Sequence, residues 1–244
     1  MSSYKLYKGE VTLDFDSVKH VYLANGEKAE SVTTILNVIA KPALVQWSAK
    51  MASEYIERNL VPGKAYDEIE IKDLCRKASF AHREHKQTAA DIGSLVHEWI
   101  ETFIKMKGKM GNPMHPEVKA GIEAFKQWIE ENHVEFHESE QKVYSRKYNF
   151  SGTFDFIATV NGKRMMGDIK TSSGIYNEMF LQTSAYQLAR QEENPEEIFE
   201  GHVIVNCKKT GELLTKISYD YEDNKEAFLC ALGLSRRLKM MEGK

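Results

Sequence analysis

GTFDFIATVNGKRMMGDIKTSS, residues 152–173, reads as a β-hairpin. Asn161-Gly162 is the strongest short-range hairpin signal, because both central positions of a type I′ turn need positive φ. With a two-residue loop, Val160 pairs with Lys163, Arg164 with Thr159, Met166 with Ile157 and Asp168 with Asp155. Directly opposed residues have Cβ atoms only about 4.5–5.5 Å apart, and like charges there repel. Strand periodicity puts Lys170 on the face of Asp168 and turns Ile169 the other way. Two carboxylates and an ammonium therefore converge. A divalent cation turns that repulsion into coordination, and hard oxygen ligands suit Mg²⁺, with Mn²⁺ as a substitute. Lys170 can then orient or activate a water, or stabilise charge on a phosphate. The bland alternative is a solvated charged face, and a longer loop would shift the register. The small, apolar approach MMG before Asp168 and the hydroxyls TSS after Lys170 fit a strand end opening onto a ligand.

Outward from the hairpin, the pattern predicts strands at 138–147, 151–160 and 163–170 and a helix over 177–191 that stops before Asn194-Pro195. GHVIVNC and LLTKIS read as paired strands, and 222–241 as a closing amphipathic helix. Upstream, AADIGSLVHEWIETFIKMK repeats apolar residues at helical spacing (Ile92, Val96, Trp99, Ile100, Phe103), and HPEVKAGIEAFKQWIEEN follows with Pro116 at its entry. PALVQWSAKMASEYIERN is a further helix, 67–87 a less regular basic one, and Asn25-Gly26 the turn of a short N-terminal hairpin. Helix, three strands, helix, strand, strand, helix specifies an α/β fold with a central mixed β-sheet flanked by helices. The expected organisation is one domain, with an N-terminal hairpin and helical extension over 1–87 and a core over 88–244.

Composition narrows the class. At 244 residues and a net charge of -3, the chain can build a sizeable core but not a strongly basic surface; a local basic channel remains open. Lys72, Arg76, Lys77, Arg83 and Lys86 would ordinarily be a solvated helix face and are otherwise one candidate wall for it, with Lys142, Arg146 and Lys147 a second. Trp47, Tyr55 and Phe80 are candidate base-stackers, or core. No apolar run approaches the roughly 20 residues of a membrane helix, and the N-terminus carries no signal or transit pattern. Cys75, Cys207 and Cys230 form no CxxC pair, which suits a reducing, cytoplasmic setting and gives no sign of zinc or an iron–sulfur cluster.

Asp155 followed by Asp168-Ile169-Lys170 resembles the signature of the PD-(D/E)XK nuclease superfamily, and the element order resembles its restriction-endonuclease-like core. DIGSLVHEWIE is similar to the helix motif of the RecB-like exonuclease branch, and Gln182-x-x-x-Tyr186 to the motif that follows its active-site strands. The N-terminal VYLANGEKAESVTTIL…KPALVQW resembles phage exonucleases and mitochondrial genome maintenance exonucleases. Two departures stand out: Gly152-Thr153-Phe154-Asp155 lacks the proline of the superfamily name, and the cysteine staple of some members is absent, so no iron–sulfur cluster is expected.

The resemblance implies a Mg²⁺-dependent deoxyribonuclease, an exonuclease leaving 5′-phosphates. Its catalytic residues would be Asp155, Asp168 and Lys170, with His97, Asp155, Asp168 and the Ile169 carbonyl as metal ligands. Gln182 and Tyr186 would contact the DNA backbone or brace Lys170, Thr171 and Ser172 could donate hydrogen bonds to phosphate, Gly93 would let DNA backbone or metal approach its helix closely, and Glu140 is a candidate further acid. The bland readings are a core histidine at 97, helix packing at Gly93, a polar edge at Gln182/Tyr186, a simple turn at the hydroxyls, and solvated glutamates at 138 and 140. Expected partners are DNA, single-stranded or with duplex ends, and a single-strand annealing or recombination protein, with no membrane. The setting would be recombination, repair or genome processing in the cytosol of a bacterium or phage-infected host. A structure-selective endonuclease on the same core is the first rival and a catalytically silent DNA-binding module the second; a small-molecule metal hydrolase or a structural calcium site leaves Lys170 unexplained.

Overall fold

The computed structural model describes residues 1–109, 111, 115–208 and 210–243, with backbone alone at 84–90 and 117. In chain order the elements are β1 (Ser2–Leu6), β2 (Val11–Asp16), β3 (Val21–Ala24), β4 (Glu27–Ser31), α1 (Val32–Ile35), α2 (Pro42–Asn59), α3 (Glu68–Lys105) and α4 (Pro116–Glu131). Then follow β5 (Glu135–Ser145), β6 (Phe150–Val160), β7 (Lys163–Lys170), α5 (Glu178–Glu193), β8 (Gly201–Cys207), β9 (Leu213–Ser218) and α6 (Tyr221–Met241). They form two compact units, residues 1–39 with 96–244, and residues 40–95. The N-terminal strands thus belong with the central sheet, whereas the sequence pattern grouped them with the helical extension.

The larger unit is built on a mixed sheet in the order β1-β2-β3-β4-β6-β7-β8-β9, with β5 also paired to β6. β4 meets β6 in parallel at Glu30/Phe150 and Ser31/Ser151, and β7 runs parallel to β8. Because β5 occupies one edge of β6 from Phe150 to Thr159, β4 at its start and β7 at its end share the other edge. Residues 152–155 of β6 face the opening between those two strands.

The expected hairpin register is present from Val160/Lys163 to Phe156/Gly167. Asn161 and Gly162 take φ of 49° and 81°, and Asn25 and Gly26 take 50° and 85°, the left-handed pairs that such turns demand. β1 and the separate β2 and β3 were not foreseen; alternation in VTLDF marks β2, but nothing marks the five-residue β1.

On one side Phe150, Phe154, Ile157 and Met166 pack with Ala185 and Tyr186 of α5 and with Phe228 and Leu232 of α6. Phe156 instead meets Trp128 of α4 and Phe136, with ring centroids 6.3 and 5.3 Å away. Residues two apart on a regular strand share a face. Phe154 and Phe156 nevertheless join different clusters, although the register of β6 against β5 is unchanged between them. Gly167 makes room for the Phe156 ring: a Cβ there would lie 1.9 Å from it.

In the smaller unit, α2 starts with Pro42 in its first turn, and the Trp47 ring stands edge-on to His82 at 6.4 Å. The two helical segments read at 67–87 and 89–107 are one helix of 38 residues, α3, because Ala, Arg, Glu, Lys and Gln between them favour helix and no proline interrupts it. Its basic run is largely matched on the helix itself: Lys72 pairs with Glu68, Arg76 and Lys77 with Asp73, and Arg83 covers the Phe80 ring at 4.4 Å. Such exposed pairs add little stability, and the run reads as a solvated face. The Lys86 side chain lies outside the described residues.

No helix among the described residues is long and apolar enough to cross a membrane. Cys75 and Cys230 are exposed thiols, whereas burial pushes the Cys207 thiol up to about 12.

Candidate metal centre and its cleft

Three acidic residues stand in one row across three strands. Ser139 pairs with Phe156 and Gln141 with Phe154, which places Glu140 opposite Asp155. On the other edge Phe156 pairs with Gly167, so Asp155 and Asp168 are the next opposed positions. The ladder stops there: the Asp155 side chain takes over a backbone role, its Oδ2 accepting the Ile169 N–H at 2.6 Å. On the β5 side Glu140 adopts φ of 51°, inside a strand that already carries a bulge between Phe136 and Glu138. A non-glycine residue in that region is strained, and such bulged positions re-aim side chains.

Asp168 is 1% exposed. Its Oδ2 is paired with the Lys170 ammonium but makes no aligned hydrogen bond. Burial raises its pKa, and Asp155 adds to this, against the pull of Lys170. For Lys170 burial acts downward, yet Asp168 and Asp155 outweigh it and hold the ammonium above the ordinary lysine value. Glu140 is pushed up to about 7, first by burial and then by Asp155. Beside it Lys142, 3.8 Å away and 9% exposed at its side chain, is lowered by burial.

His97 reaches the row from α3, with Nδ1 3.6 Å from Asp155 Oδ2. His97, Glu140 and Asp155 each offer a ligand atom, all within 4.8 Å of one another. Ligands facing each other across an ion bound at about 2.1 Å would be about 4.2 Å apart, so small rotations would close this group on a cation. The donor set is hard, with one imidazole, and on such a set Mn²⁺ and later divalent ions bind more tightly than Mg²⁺.

These side chains line a cleft of about 270 Å³ whose walls also include Asp168, Lys170, Lys142, Gln182 and Tyr186. The Gln182 amide donates to the Tyr186 hydroxyl at 2.7 Å. The Tyr186 ring lies over Gly152, where a Cβ would come within 2.2 Å of it. The glycine of the GTFD motif is thus the seat of the tyrosine of the Gln182/Tyr186 pair.

Eight of the sequence-read positions therefore share one cleft: His97, Glu140, Lys142, Asp155, Asp168, Lys170, Gln182 and Tyr186. Others lie elsewhere. Ile169 is buried, and its N–H donates to Asp155 Oδ2 at 2.6 Å. Ser172 is occupied in a turn, its hydroxyl donating to the Gly174 carbonyl at 2.7 Å, and neither it nor Thr171 lines the cleft. Gly93 belongs to the helical unit. Arg146 is held by Glu10 at 2.8 Å and stacks on Tyr7, which leaves Lys142 as the cleft-facing member of its basic group. The pattern did not single out Phe15, Tyr22 or Ser31 of the N-terminal strands, or His20 in the turn between β2 and β3, which also line the cleft. Their one signal was the alternation of β2, which says nothing about long-range parallel pairing.

No protein-family model matches the chain, and no curated protein matches its sequence.

The raised carboxyls carry a testable sign. A carboxyl whose folded pKa lies above its unfolded value costs stability when ionised; that cost is full above the folded pKa and vanishes below the unfolded one. For Glu140 the window runs from about 7 down to the ordinary value of 4.5. Without divalent cation, Glu140→Gln is expected to melt higher than the wild type above neutrality, and the gap should close as pH falls towards the ordinary value. Thermal melts of both proteins across that range check it; a gap independent of pH contradicts the placement of Glu140 in the row.

Proposed function

We propose that the chain is a divalent-metal-dependent DNA nuclease of the PD-(D/E)XK type, acting as an exonuclease on free ends. The observation that carries this reading is the acidic row with the Lys170 ammonium on one end and His97 beside its centre, all opening into one cleft. His97, Glu140 and Asp155 would hold the cation, with Asp168 next to them. When bound, the cation supplies Lewis-acid polarisation of the phosphodiester and a lowered pKa for a water molecule.

The chain's own groups do the rest. Asp168 anchors Lys170 and keeps it protonated, so the ammonium acts as a donor to a phosphate oxygen or to the attacking water rather than as a base. Asp155 uses one carboxylate oxygen to fix the Ile169 backbone and thereby the geometry between β6 and β7. Tyr186 and Gln182, joined by a preset hydrogen bond, form part of the same cleft wall as Lys170. The motif order Asp155, Asp168-x-Lys170, Gln182-x-x-x-Tyr186 supports the nuclease reading over a plain metal site, since a structural cation needs no lysine beside it.

The test is Mg²⁺- or Mn²⁺-dependent digestion of end-labelled linear single- and double-stranded DNA beside a covalently closed circle, with EDTA as control. Loss of linear DNA with the circle intact is the expected result. Cutting of the circle would favour an endonuclease, and no cleavage under any condition a binding module.

A further inference from the structure

The wall of the cleft contributed by β2 and β3 is aromatic. Phe15 and Tyr22 are cross-strand partners whose rings stack at 4.5 Å and 26°. The His20 ring stands edge-on to both, 5.4 Å from Phe15 and 5.9 Å from Tyr22. Tyr22 is fixed from behind, buried and sharing a 2.9 Å hydrogen bond with Thr153 of β6. The Lys142 ammonium lies 5.3 Å from the Phe15 ring centre. Phe15 is half-buried, so the exposed surface of this stack is His20. His20 also holds φ of 52°, a conformation that glycine or asparagine adopts with less strain in a turn.

We infer that His20, backed by Phe15 and Tyr22, is a stacking platform for one unpaired nucleobase beside the scissile phosphate, so that the preferred substrate is a single-stranded or frayed DNA end. The inference rests on the nuclease reading for the identity of the ligand. Every base has a flat π-face, and proteins that hold single strands combine aromatic platforms with cationic backbone contacts. Here both lie in one cleft, with the aromatic wall, Lys142 and Lys170 together. At about 270 Å³ the cleft lies just below the usual range of small-molecule sites.

The experiment is fluorescence anisotropy with Ca²⁺ in place of Mg²⁺, using a labelled short single strand and the same strand with abasic terminal residues. The wild type should bind the intact strand about five- to hundred-fold more tightly than the abasic one. His20→Asn, which suits the left-handed turn but removes the aromatic face, should lose most of that preference at an unchanged melting temperature. His20→Trp should keep it. Equal affinity of the wild type for both strands, no binding of either, or full discrimination by His20→Asn would overturn the platform. If base-dependent binding is found but the wild type cleaves no DNA with Mg²⁺ or Mn²⁺, the nuclease reading fails and the platform stands.

Discussion

Replacing Asp155 by Asn lowers the expected rate of DNA hydrolysis by about a thousand-fold or more while the protein stays folded. Asp155 is the shared member of the site: it lies opposite both Glu140 and Asp168, and its Oδ2 is the oxygen facing His97. Loss of its charge removes the centre of the ligand set. Metal-borne stabilisation is worth several kcal/mol, and each 1.36 kcal/mol is tenfold in rate, so a loss of about 4 kcal/mol gives that factor. The fold survives because the amide oxygen of Asn still accepts the Ile169 N–H, and repulsion with two neighbouring carboxylates is relieved. The melting temperature of the metal-free variant should therefore match or exceed that of the wild type. Asp168→Asn gives a contrasting pair of outcomes. It also ends hydrolysis but lowers stability, since the Lys170 ammonium loses its buried counter-ion. Single-turnover digestion and thermal melts of both variants make the check. An Asp155→Asn protein retaining a tenth or more of wild-type activity contradicts the assignment.

The second large effect is structural. Gly167→Ala is expected to destabilise the protein by about 3 kcal/mol, the upper part of the range for overpacking. The new Cβ would sit 1.9 Å from the Phe156 ring, which is fully buried between Trp128 and Phe136 and has no free side to move into. For a protein of this size that corresponds to a fall in melting temperature of about 6–12 °C. Phe156→Leu should recover part of the loss in the double variant, a coupling that a cycle of melts measures directly. Additive effects of the two substitutions would show that the ring is not the obstacle.

How far the molecule could be read in advance depended on the range of the interaction. Asn161-Gly162 set the register of β6 against β7 locally, and the opposition of Asp155 to Asp168 followed from counting. Helices with an apolar stripe and a proline entry, such as α2 and α4, were equally legible. Long-range pairing was not. That β4 would run parallel to β6 and bring Phe15, His20 and Tyr22 to the cleft rests on two residue pairs far apart in the chain, and alternation carries no such information. Glu140 was visible only as one of two glutamates on a strand. The bulge at Phe136/Glu138 and the left-handed turn of its own backbone select it over Glu138, which instead pairs with Arg190 at 2.8 Å.

Mn²⁺ binding followed by electron paramagnetic resonance decides whether Glu140, Asp155 and His97 form a divalent-cation centre. The wild type should bind Mn²⁺ in a saturable manner at neutral pH, and Asp155→Asn, Glu140→Gln and His97→Ala should each weaken that binding at least about tenfold, as loss of one ligand contact does. Wild-type protein that leaves Mn²⁺ free in solution, or variants that bind it as tightly as the wild type, would contradict the account.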